Sequence, residues 1–127
     1  MENRVEPLVI AAGDHGLVFH SPKPDPNAFG ERVDVKAGPF TGSFEAHCYS
    51  SPWQDVLLDL SQLLRSLKGT TRFYGYEEIS VVFMGDGLGH IQAKVEIREH
   101  PLRLSFEIEL DQTHLPGIIA GIERVFL

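Results

Sequence analysis

The chain has 127 residues, with 11 Lys and Arg against 18 Asp and Glu, for a formal net charge of −7. That length is ordinary for one domain, and Leu, Ile, Val and Phe make 40 of the residues, enough to bury a real core. The acidic balance argues against nucleic-acid binding, which needs a Lys/Arg footprint to displace phosphate counterions.

Leu8–Ala12 and Gly16–His20 read as two short strands around a turn at Gly13-Asp14. Ser21–Asn27 carries Pro22, Pro24 and Pro26, which remove backbone donors and fix φ, so a loop is expected there. Glu31–Ala37 alternates, with Val33, Val35 and Ala37 on one face; Gly38-Pro39 breaks it, and Phe40–Cys48 alternates again. Period two marks half-buried antiparallel strands.

A helix is expected next. Ser51 is a good N-cap, Pro52 suits the first helical position and Gln54 completes a capping box. Trp53, Val56, Leu57, Leu60, Leu63, Leu64 and Leu67 then form one apolar stripe, and Gly69 is the expected stop. Three strands follow over Glu77–Met84, His90–Arg98 and Leu102–Leu110, with turns at Asp86-Gly87 and Glu99-His100-Pro101. A last helix starts near Thr113, tolerates Pro116 in its first turn and buries Leu115, Ile118, Ile119, Ile122, Val125 and Phe126. The expected fold is one α+β domain over residues 1–127: a mostly antiparallel twisted sheet of about six strands, with two amphipathic helices on one face.

No motif points to a known chemistry. Gly85-Asp86-Gly87-Leu88-Gly89-His90 has His where a dinucleotide fingerprint needs its last glycine, and a strand pattern where it needs a helix. His47 and Cys48 are adjacent on a strand, so their side chains face opposite ways and make no dyad. The single cysteine cannot form an internal disulfide or a multi-cysteine metal site. His15, His20, His47, His90, His100 and His114 show no metal-ligand spacing, although Asp14-His15 and Asp86 with His90 are close enough to share a site. No cofactor is expected. No apolar run reaches the length of a membrane span, and Met1-Glu2-Asn3-Arg4 opens no signal peptide, so a cytoplasmic protein away from the membrane is expected.

The polar face of the last two strands carries Glu96, Glu107 and Glu109, with Asp111 just beyond. Acidic side chains on an exposed strand face can serve as a docking surface, because such charges steer a partner and set its on-rate. A solvated face with cross-strand Lys94 and Arg103 pairs is the plainer reading.

Gly89-His90 opens an alternating strand, Leu102–Leu110 follows, and Asp111-Gln112-Thr113-His114-Leu115-Pro116 leads into a terminal apolar helix. Together with Phe40-Thr41-Gly42 before a strand and a leucine-rich helix, this order over residues 31–127 resembles the WapI-type bacterial immunity proteins of polymorphic toxin systems. The resemblance implies a non-enzymatic inhibitor that binds a toxin domain and covers its active site. Many such toxins are basic, which suits a partner of net charge −7. Two alternatives stand beside it: a small-ligand binding or sensing domain, and an enzyme of unrecognised type using Asp86, His90 or His100. The oligomeric state stays open.

Overall fold

A computed structural model describes residues 6–20, 31–47, 53–73 and 76–126, leaving aside the side chains of Glu31 and Phe126. The expected features at Ser21–Asn27, Cys48, Ser51 and Pro52 lie outside these residues. The chain runs β1 (Leu8–Ala12), β2 (His15–Phe19), β3 (Glu31–Ala37), β4 (Phe40–Ala46), α1 (Trp53–Ser66), β5 (Lys68–Phe73), β6 (Ile79–Asp86), β7 (His90–Glu99), β8 (Leu102–Asp111), a 3-10 turn (Gln112–His114) and α2 (Leu115–Phe126). The fold is α+β, but the expected single sheet of about six strands is corrected. There are two four-stranded antiparallel meanders, β1-β2-β3-β4 and β5-β6-β7-β8.

The correction has a local cause. The stop expected at Gly69 comes two residues earlier. Leu67 adopts a left-handed φ of 59°. Its N–H donates to Leu63 O at 2.7 Å, and its own carbonyl accepts from Gly87 N–H at 2.7 Å. The chain therefore turns straight from α1 into β5, which pairs with β6 from Lys68↔Asp86 to Phe73↔Val81. With α1 interposed between β4 and β5, the second meander builds its own sheet.

The apolar faces of both sheets and both helices share one core. Phe19 of the first sheet and Phe73 of the second lie 5.3 Å apart at their ring centroids. Trp53 of α1 meets Phe73 at 5.4 Å, and Tyr76 meets Phe19 at 5.3 Å. This aromatic cluster ties three elements together at one end of the molecule. The helices pack on each other, α1 against β5 and α2 against β1. Gly121 permits the second contact: a Cβ there would sit 2.6 Å from Leu8 Cδ1.

Burial falls away toward the other end. Along β8, Leu110 and Ile108 are buried, Phe106 and Leu104 are half-buried, and Leu102 is 72% exposed. Along β4, Ala46 is buried, Phe44 is half-buried and Phe40 is 71% exposed. The two apolar faces thus splay apart into a cleft of about 240 Å³.

Candidate functional site

The outer face of the second sheet is built by alternation. Ile91, Ala93, Val95 and Ile97 of β7 face the core, so His90, Gln92, Lys94, Glu96 and Arg98 face outward. On β8 the outward set is Arg103, Ser105, Glu107 and Glu109. Register places Glu109 opposite Gln92, Glu107 opposite Lys94 and Ser105 opposite Glu96. Glu96, Glu107 and Glu109 therefore share one solvent-facing surface.

Their partners differ. Gln92 Nε2 donates to Glu107 at 2.8 Å and to Glu109 at 3.2 Å. His90 Nε2 lies 2.7 Å from the other Glu109 oxygen. Glu96 is paired with Arg98, whose Nε donates at 2.7 Å. A neutral amide orients the Glu107 carboxylate without cancelling its charge, whereas a guanidinium largely neutralises Glu96. The anionic part of the face is thus Glu107 with Glu109, and Lys94, Arg98 and Arg103 make the rest mixed in sign. Gln92 had no role in the sequence-based expectation; it becomes visible only once β7 and β8 are in register.

Five of the six histidines sit against a carboxylate. Asp14 lies 2.7 Å from His15, as their adjacency suggested. His90, however, pairs with Glu109 and not with Asp86. Asp86 Oδ1 accepts main-chain N–H groups from Leu88 at 2.7 Å and His90 at 3.2 Å, which hold its carboxyl below the usual range. It closes the turn before β7. His100 lies past the far end of β7, ten residues from His90, or about 33 Å of extended chain. Asp86 and His90 are neighbours through the His90 main chain, and His100 is not brought to them.

Asp111 caps the 3-10 turn: its carboxylate accepts from Thr113 N–H at 2.8 Å and the Thr113 hydroxyl, and the main-chain N–H of Asp111 donates to His114 Nδ1 at 3.1 Å. Its pKa is lowered, first by the Thr113 hydroxyl. On the first sheet, Asp34 accepts from Ser43 Oγ at 2.6 Å, lies 2.7 Å from His20 Nε2 and accepts from Arg32 Nε at 3.0 Å. These bonds, Ser43 first, hold the Asp34 carboxyl far below the usual carboxylate range. Serine, histidine and aspartate meet here in the wrong order for nucleophilic catalysis. The hydroxyl is given to the carboxylate and the imidazole takes the other oxygen, so no imidazole acts on Ser43.

His47, Glu77 and Glu78 each offer a ligand-type atom within 4.8 Å of the others. The Glu78 carboxylate accepts the His47 main-chain N–H at 2.9 Å and stands 2.8 Å from His47 Nδ1. Glu77 N–H donates to His47 O at 3.0 Å. The trio ties the residue after β4 to the residues before β6. Adjacent Cys48 lies outside the described residues.

No family model, no curated protein and no solved structure matches the chain. Among the described residues, no helix is long and apolar enough to cross a membrane.

Proposed function

We propose that this protein is a non-enzymatic, protein-binding inhibitor of the immunity type, and that it neutralises a basic toxin domain in the cytoplasm. The observation that carries the reading is the Glu107–Glu109 pair, held outward on a sheet face by the neutral amide of Gln92. Preset carboxylates on a regular element can meet a basic surface at little ordering cost. The chain's net charge of −7 adds long-range attraction to such a partner. The order of elements over residues 31–127 supports the same class.

The test uses tagged wild type and an E96K/E107K/E109K variant as parallel baits in the host, at low and high salt. Wild type should retain one near-stoichiometric partner bearing a basic toxin-like domain, and co-expression should rescue growth from that domain. The variant should lose the partner, with most of the loss already present in Glu107→Lys with Glu109→Lys. Equal retention by both baits removes this face from the proposal; absence of a partner from cells expressing the toxin removes the inhibitor reading.

A further inference from the structure

The edge of the first sheet at β4 differs from the other sheet edges. β1 is packed by α2 and lies beside β8, and α1 packs against β5. β4 has β3 as its sole extensive neighbour among the described residues. Gly38-Pro39 joins β3 to β4 as a two-residue turn, with Ala37 opposite Phe40. Strands joined this way bond through alternate pairs counted from the turn. The main-chain N–H and C=O groups of Thr41, Ser43 and Glu45 therefore face away from β3. Exposed edges are commonly blunted with charges, prolines or bulges; the seven residues of β4 carry one charge, Glu45, and no proline.

Beside this edge lies the apolar cleft. Its floor and walls include Val35, Phe40, Phe44, Ile97, Leu102 and Leu104. Phe40, Gly42 and Phe44 point to the cleft side of β4, and the missing side chain at Gly42 leaves open space, with nothing within 4 Å of an added Cβ. A strand laid along β4 would bond to Thr41, Ser43 and Glu45 and turn alternate side chains into the cleft. The lining holds one carboxylate, Glu99, and no cation. Glu45 faces away from the cleft, opposite Arg32 and on the face that carries Lys36, so the cationic preference rests on Glu99 in the lining and on the net charge of −7, which also repels a second copy of this acidic chain.

We propose that the edge of β4, unpaired among the described residues, is a strand-addition site for an extended, cationic segment of a partner protein, with an apolar side chain of that segment seated beside Phe44 and Leu104. The site is separate from the glutamate face and does not rest on it.

The probe is a disulfide-closed β-hairpin peptide whose outer strand reads Lys-Leu-Thr-Phe-Thr-Leu-Lys, added to the full ¹⁵N-labelled chain. Its companion carries N-methyl groups on the amides of the bonding edge, with charge and side chains unchanged. The native peptide should bind saturably, with the largest shifts at the Thr41, Ser43 and Glu45 amides. N-methylation should weaken binding about tenfold, from the loss of two or three main-chain bonds. Thr41→Pro, which spares the pairing with β3, should weaken it similarly. Leu102→Asp, at an exposed position, should weaken it with the edge intact. E96K/E107K/E109K should bind the peptide as wild type does, which keeps this test independent of the proposed function. Absence of saturable binding overturns the proposal. Equal binding of the N-methylated peptide, or shifts centred on Glu107 and Glu109, shows charge attraction alone and also overturns it. So does a wild-type dimer in sedimentation that Thr41→Pro dissolves, because β4 would then serve a second copy.

Discussion

His47 shows how one residue's titration follows from its tie to a distant carboxylate. The Glu78 hydrogen bond, then its charge, raises the His47 pKa, with smaller contributions from Glu77 and Glu99. A raised folded-state pKa favours the native state fully below the ordinary histidine value of about 6.5, and that contribution fades as pH rises through the raised value. Followed by imidazole NMR, His47 should titrate above about 6.5 in the wild type and near it in Glu78→Gln. An unmoved midpoint in the variant would show that Glu78 is not the cause. Asp34 behaves with the opposite sign: its depressed pKa gives a contribution that is full at neutral pH and is lost progressively as pH falls below the ordinary aspartate value of about 3.9. Neither pairing was legible in the sequence. His47 and Glu78 are 31 residues apart, and His20 and Asp34 are 14 apart, so only the fold creates them.

At the scale of elements, periodicity carried most of the reading. The alternation of Val33 and Val35, of Ile91 to Ile97 and of Leu104 to Leu110 matched β3, β7 and β8 to within a residue or two. The leucine stripe of α1 and the apolar face of α2 were equally plain. β5 was missed because Lys-Gly-Thr-Thr-Arg-Phe offers few apolar positions and because Gly69 suggested a helix stop. The glycine-rich turn was half legible. Gly87 and Gly89 do hold positive φ, at 86° and 105°. Gly85 is needed for space: an added Cβ would lie 2.5 Å from Leu67 O, the carbonyl that accepts from Gly87. Backbone cannot yield there as a flexible side chain would. Gly85→Ala should therefore destabilise the fold by about 1–3 kcal/mol. Gly42→Ala, with open space around it, should leave stability unchanged or raise it by less than about 1 kcal/mol. Urea titration of the two variants side by side decides the point; equal stabilities would mean that the α1–β5 junction relaxes freely.

At the scale of the molecule, net charge and a sizeable core were legible from composition, but the sign of any one face was not. Arg98 beside Glu96 and Gln92 between Glu107 and Glu109 depend on register. The division into two sheets was not legible either, and it raises the question of whether they fold as one unit. The aromatic cluster answers it in structural terms. Phe73 is fully buried and touches Phe19 from the first sheet as well as Trp53 and Tyr76. Truncating it removes contacts from both sheets and from α1 at once. Phe73→Ala should cost about 3–5 kcal/mol, a large share of the ~5–15 kcal/mol that holds a domain together. Leu102→Ala, at a position 72% exposed, should change stability by no more than about 0.5 kcal/mol. Trp53 fluorescence reports the aromatic cluster and far-UV circular dichroism reports both sheets. In wild type and in Phe73→Ala the two signals should follow one denaturant transition, shifted to lower denaturant in the variant. If fluorescence instead moves early and leaves a second sheet signal at the wild-type midpoint, the sheets unfold separately, and the cleft between them is a domain boundary that can open.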